Sequence, residues 1–159
     1  MRALDVHQVS VPGRLEPVTL ELGPGQLAGV VGPNGSGKST LLQVMGGLLP
    51  HTGEVKWHGR PLPRVPLIER GRTTAWVPQE AHFEFGFSVR AVVAQGRFAH
   101  GDDEVGVDAA LARFDLAKVA DRPVDQLSGG EKHRVLLARA LVTGASIHRA
   151  GAAQRRETR

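Results

Sequence analysis

Three observations on this chain of 159 residues predict an α/β fold. An apolar, strand-like run, Leu27-Ala28-Gly29-Val30-Val31, leads directly into a glycine-rich stretch, and a helix-like run, Leu41-Leu42-Gln43-Val44-Met45, leaves it. Short alternating segments on either side of that unit read as strands. From Ser88 onward the apolar period lengthens to that of helices. The expected architecture is therefore an antiparallel N-terminal part, a strand–loop–helix core and a helical insert.

Taken in order, Leu4 to Val11 and Val18 to Leu22 alternate as strands around a Pro12-Gly13 turn. Gly23-Pro24-Gly25 is a second turn, and the run to Val31 is expected to be a buried strand. Gly53 to His58 alternates again. Pro61 to Pro66 holds three prolines and reads as loop, Leu67 to Arg70 as a short helical turn, and Thr73 to Val77 as a strand ending at Pro78-Gln79. Ser88 is an expected N-cap for a helix carrying Val89, Val92 and Val93 on one face. Asp102-Asp103 is expected to open a second helix, with Val105, Ala109, Leu111, Ala112 and Leu116 as its apolar positions. Leu127-Ser128 leads into a third, lined by Val135, Leu136, Ala138 and Leu141. After Thr143 the text changes: Gly144 to Arg159 has one large aliphatic residue, Ile147, and no periodicity. These residues read as a polar, disordered end.

The length points to one domain, and a hydrophobic content of 41% fits a globular core. With no cysteine in the chain, disulfides and thiolate metal sites are excluded. The first ten residues mix Arg2, Asp5 and His7 with apolar ones and do not form a signal peptide. No apolar run approaches the roughly 20 residues of a spanning helix. The expected location is the cytoplasm, peripheral to a membrane through a partner. Residues 149–159 hold four arginines against one glutamate, a net of +3 that leaves +1 for the rest of a chain whose total is +4. A near-neutral body with a basic end is not a nucleic-acid footprint. The seven histidines are scattered without metal-ligand spacing.

The glycine-rich stretch, Gly32-Pro33-Asn34-Gly35-Ser36-Gly37-Lys38-Ser39-Thr40, matches G-x-x-x-x-G-K-[ST] in full. Between a strand and a helix this pattern cradles phosphates: loop amides and the helix's positive end surround the anion. Lys38 is then expected to reach the β- and γ-phosphates of a triphosphate, and the Ser39 hydroxyl to ligate Mg²⁺. Further along, Leu127-Ser128-Gly129-Gly130-Glu131 is a capping box in which two glycines leave amides open at a helix N-terminus. Val77-Pro78-Gln79 lies between the two motifs.

In that order the motifs resemble those of the ATP-binding-cassette ATPases: Walker A at Gly32–Thr40, the Q-loop at Val77–Gln79 and the signature at Leu127–Glu131. The resemblance covers roughly Leu4 to Ala145. It implies a P-loop NTPase cassette working as a head-to-tail dimer, with Ser128, Gly129 and Gly130 against the ATP of a second ATPase subunit. It also implies that Gln79 approaches Mg²⁺ and the attacking water, and that the insert touches membrane permease subunits. Gln95-Gly96-Arg97-Phe98-Ala99-His100 is similar to an element of the importer ATPases for ferric siderophores, haem and cobalamin. Manganese and zinc importers are similar here too.

Against that pattern, no apolar strand ending in Asp-Glu follows the third helix. Residues 1–145 therefore read as a partial cassette, with its insert at about 80–127 and the C-terminal part of its core missing, and 146–159 as a tail outside the family. Weak nucleotide binding and little hydrolysis are expected, or a non-enzymatic nucleotide-binding remnant. Buried-type strands without neighbours should leave backbone groups unpaired.

Overall fold

The computed structural model describes residues 2–79, 83, 86–101 and 103–150. The chain divides into two units, Met1–Leu67 and Ile68–Arg159.

The first unit is an antiparallel sheet of order β2-β1-β3-β4, built from β1 (Leu4–Val11), β2 (Leu15–Leu22), β3 (Thr52–Trp57) and the short β4 (Arg60–Pro61). Strict alternation would put Val6 and Val9 on opposite faces, yet both are fully buried. A bulge resolves this. Gln8 adopts φ 48°, the register to β2 shifts between Val6 and Val9, and the Gln8 amide donates to Thr19 Oγ1 at 3.0 Å. The neighbouring strand accommodates the bulge with Gly53, at φ +78°, where a Cβ would collide with the carbonyl oxygens of His7 and Gln8. Helix α1 (Lys38–Met45) buries Leu41, Val44 and Met45, and Trp57 Nε1 of β3 donates to Met45 O at 2.9 Å. That bond satisfies one of the helix's terminal carbonyls and fixes α1 to the sheet.

The second unit contains α2 (Leu67–Thr73), β5 (Thr74–Val77), α3 (Val89–Ala94), α4 (Val107–Arg113), α5 (Gly129–Val142) and β6 (Ile147–Ala150). Its main core joins Val89, Val92 and Val93 of α3 to Val107, Ala110 and Leu111 of α4 and to Val135, Ala138 and Val142 of α5. A second cluster packs Leu136 and Ala140 of α5 against Ala75 and Val77 of β5. The 3-, 4- and 7-residue spacings on α5 thus feed two cores from one helix.

Most expected elements form within about three residues, but Leu141, expected on the apolar side of α5, is exposed, as are Val105, Ala109 and Ala112, expected to line the second helix, and three further readings need correction. Leu27 to Val31 is not a strand: Leu27 and Val31 are exposed and the segment has no regular structure. An apolar strand of this kind needs neighbours on both edges, and among the described residues no strand pairs with it. Ser146 does not begin a structureless tail: β6 pairs in parallel with β5, Thr74 opposite Ile147 and Val77 opposite Ala150. A buried Ile147, following a buried Ala145, finds an open strand edge there, which outweighs the lack of periodicity. The rest of that stretch, 151–159, lies outside the described residues. Asp103 does not open a helix. α4 starts at Val107, while Asp103 caps a turn by accepting the Val105 amide at 3.3 Å. Asp102 lies outside the described residues.

The bulge makes a prediction. Gly53→Ala meets both a left-handed φ and a backbone collision, so urea unfolding should show a loss of about 2 kcal/mol or more relative to the parent.

Candidate functional site

In the first unit, the loop Gly32–Gly37 turns on the Ser36 amide, which donates to Pro33 O at 3.3 Å. Gly35 and Gly37 hold φ of 82° and 85°, which suits glycine. At Gly37 a Cβ would also lie 2.6 Å from Arg14 O and 2.9 Å from Leu15 Cδ1, so the loop's last residue is pressed against the sheet. At Gly32 a Cβ would come within 2.9 Å of Ser36 Oγ. The loop leaves no room for a side chain at Gly37, where backbone stands in the way, whereas at Gly32 the movable Ser36 hydroxyl does. Pro33, Asn34, Gly35 and Ser36 are exposed, as is Ser39, whereas Thr40 is buried in the helix's inner face.

The first hydrogen bond of α1 runs from the Leu41 amide to Gly37 O at 2.8 Å. The amides of Lys38, Ser39 and Thr40 therefore have no acceptor inside the helix. No side chain caps them, and no acidic residue stands in the first turn. Helices α3 and α5 differ. Ser88 caps α3 by accepting from the Ala91 amide at 3.2 Å, and Ser128 with Glu131 forms a reciprocal box on α5. Helix α4 likewise lacks a side-chain cap but carries Asp108 in its first turn, so among α1, α3, α4 and α5 only α1 has neither a cap nor an acidic residue at its positive end, which lies behind a loop with no room for a side chain at Gly37. Lys38 Nζ donates to Gly32 O at 2.8 Å and to Pro33 O at 2.7 Å, which holds the ammonium beside the loop. Both acceptors are neutral carbonyls, so an anion competes favourably for that charge. Loop, bare helix end and lysine together fit a polyphosphate.

The second unit carries the other motif residues. Gln79 is exposed just past β5, whose Val77 is buried, and the segment 80–82 that follows lies outside the described residues. Ser128, Gly129 and Gly130 are exposed at the start of α5. Ser128 N and Oγ donate to Glu131 Oε2 at 2.9 and 2.6 Å, and the Glu131 amide donates back to Ser128 Oγ at 3.3 Å. These bonds hold the Glu131 carboxyl below the usual carboxylate range, the Ser128 hydroxyl contributing most. Gly129 and Gly130 have negative φ, and a Cβ on either meets nothing within 4 Å. Among the described residues, nothing requires glycine at these two positions.

Sequence reasoning missed two features. The first is Asp103 as the partner of Arg97, which is separated from it by a turn and carries no periodic signal. The second is Arg139. It lies on the apolar side of α5, four residues after Val135, and that misplaced charge was a readable signal. Arg139 helps line a groove of about 460 Å³ with Gly71, Trp76, Gln95, Phe98 and Thr143. Burial pushes its guanidinium below the ordinary value, and among the described residues it has no hydrogen-bond or ion-pair partner. Among the described residues no group of three or more His, Cys, Asp or Glu converges as a metal site, and no helix is long and apolar enough to cross a membrane.

The Glu131 box makes a pH prediction. A depressed folded-state pKa contributes stability above the ordinary glutamate value of 4.5, and loses it as pH falls through the lower folded value. Urea midpoints measured from pH 6 downward should therefore fall below the glutamate range, and Glu131→Gln should flatten that part of the profile.

Comparison with known proteins follows this geometry. Residues 15–148 match the family model described as ABC transporter. The cobalamin import ATP-binding protein BtuD of Halobacterium salinarum is 45% identical over 140 residues, covering 84% of this chain and 35% of its own length. The hemin import ATP-binding protein HmuV of Pseudomonas entomophila is 46% identical over 132 residues, covering 80% of this chain and 52% of its own. The chain thus spans about a third to a half of the curated relatives it matches. Among solved structures, cbiO1 from Clostridium perfringens, part of the complex cbiONQ, superposes with a TM-score of 0.78 at 25% identity. It covers 94% of this chain and 64% of that one. An ATP-binding subunit of an ABC transporter reaches a TM-score of 0.82 at 23% identity over 93% of this chain and 65% of that one, a likeness of fold.

Proposed function

The chain belongs to the ABC transporter family of ATPases, and from that premise we propose that it is the ATP-binding subunit of an importer. The observation that carries this reading is the bare N-terminus of α1 behind Gly32–Gly37. Amides of the loop and of Lys38 to Thr40 would surround the β- and γ-phosphates, and Lys38 would exchange its two carbonyls for phosphate oxygens. The exposed Ser39 hydroxyl would face Mg²⁺, which supplies charge neutralisation to phosphoryl transfer when bound, and Gln79 would approach the same ion and the attacking water.

Ser128, Gly129 and Gly130 would meet the ATP of a second subunit. Supporting this, the two glycines are unneeded by their own fold, so the absence of side chains serves something that docks closely. The cargo class would be a metal chelate: the similar relatives import cobalamin and hemin, and the Gln95–His100 element, similar to that of ferric-siderophore importers as well, keeps a ferric siderophore in the same class. A manganese or zinc importer is the second reading, from the similarity of the Gly96–His100 element. The membrane partner would be a permease, placing the chain at the inner face of a cell membrane. The groove with exposed Phe98 and Arg139, which has no partner among the described residues, suits a short permease helix with an acidic side chain.

Two measurements check this. Titration with a fluorescent ATP analogue should show Mg²⁺-dependent binding that Lys38→Ala weakens roughly tenfold or more, at the upper end of what a charged phosphate contact contributes. Equal binding by parent and variant sinks the assignment. Phe98→Ser should reduce recovery of the chain with its permease in detergent extracts, and unchanged recovery removes the groove from the interface.

A further inference from the structure

Helix α5 ends against a cluster that the nucleotide site does not use. Its last carbonyls would be orphans in an isolated helix. Here Arg97 Nη1 donates to Val142 O at 3.0 Å, and His100 Nε2 lies 2.9 Å from Thr143 O. Since a carbonyl only accepts, that ring nitrogen carries the proton. The remaining edge of the Arg97 guanidinium is taken by Asp103: Nε to Oδ1 at 2.6 Å and Nη2 to Oδ2 at 3.0 Å. All three guanidinium nitrogens are thus engaged, in the forked geometry a lysine cannot reproduce. Gly96 lets the two backbones meet, because a Cβ there would collide with Arg139 O and lie 2.6 Å from Val142 Cγ2.

We propose that Arg97, His100 and Asp103 are positioning residues: a clasp that locks the end of α3 to the last turn of α5, so that Ser128-Gly129-Gly130 at the other end of α5 follow the helical insert. This rests on the reading of Ser128–Gly130 as the segment that meets a second subunit's ATP. The lever is stiff. Helix α5 has 14 residues, about 21 Å at 1.5 Å per residue, with its first turn closed by the Ser128–Glu131 box. Two contacts span it. Val135, Ala138 and Val142 pack against the insert core, and the clasp fixes the terminal turn. Apolar packing alone is non-directional and permits sliding, whereas the clasp sets register through directed bonds to named carbonyls. Opposite charges hold the pair: Asp103 is kept below the usual carboxylate range chiefly by its bond to Arg97.

The test uses the full chain, whose lack of cysteine allows specific labelling. Nitroxides at Gln95→Cys and His133→Cys, both exposed, report the distance between the end of α3 and the start of α5. The parent should give one narrow distribution. Arg97→Lys and His100→Ala should broaden it about twofold or more, and His100→Gln, which still offers an N–H to Thr143 O, should restore it. In parallel, ATP-driven association of two copies should weaken about fivefold or more in Arg97→Lys, with fluorescent-ATP affinity unchanged. Narrow distributions in Arg97→Lys and His100→Ala, with only a lowered melting midpoint, overturn the clasp and leave a purely structural contact. Unaltered association beside broadened distances overturns its link to the signature. If the parent shows no response to ATP, the nucleotide reading fails, while the distance measurement still decides the clasp because it needs no nucleotide.

Discussion

Val135, Ala138 and Val142 face one way from α5 and Leu136 and Ala140 another, and the second unit is organised by that double burial. Each large side chain so buried contributes on the order of 1.5–3 kcal/mol, and a helix held on two sides cannot rotate without exposing one of them. The small residues Ala138 and Ala140 let the flanking elements approach closely. The exposed N-terminus at Ser128 is thereby aimed by packing that occurs well away from it. Gln79 is placed by the same arrangement, because β5, which delivers it, is the strand against which Leu136 and Ala140 rest.

The helix termini fall into closed and open ones. At α5 the Ser128–Glu131 box closes the orphan amides and keeps the helix end rigid, and at α3 Ser88 does the same. At α1 nothing closes them, although the energetic argument for a cap is the same there. The unfilled role falls at the end of a loop whose glycines are enforced by contacts with Arg14 O, Leu15 and Ser36. Glycines of a second kind, Gly129 and Gly130, have open space around them and ordinary φ. The first kind is explained by this fold, and the second points outward to whatever approaches it.

Local chemistry was legible in the sequence, and long-range pairing was not. Leu4–Val11, the Ser88 cap and the Ser128–Glu131 box each depend on residues a few positions apart, so their signals lie within one window. The order of the three motifs was enough to identify the family. Leu27–Val31 and Ile147–Ala150 reversed the expectation because a strand exists only when another lies beside it. The more strongly apolar run found no neighbour among the described residues, and the weaker one found β5. Asp103 failed for a related reason. As a residue before an apolar run it resembles a helix opener, but the guanidinium of Arg97 competes for it and wins with two bonds. The Gln8 bulge was equally invisible, since alternation reads through it until the register of Gly53 is known.

Two arginines bracket the contact between the end of α3 and α5, and their contrast separates a scaffold from a surface prepared for something else. Arg97 has an acceptor for every guanidinium nitrogen, and its charge is stabilised by the bond to Asp103. Nothing further is gained by bringing another anion to it. Arg139 is partly buried, carries the desolvation cost of its charge, and has no acceptor among the described residues. A guanidinium remains ionised under such conditions, so that cost persists until an acceptor arrives. The groove that contains it is bordered by exposed Phe98 on the same short segment that supplies Arg97 and His100. A partner seated there would therefore press on the segment that caps α5. Force applied at the groove would reach the last turn of α5 through the bonds of Arg97 and His100 to Val142 O and Thr143 O.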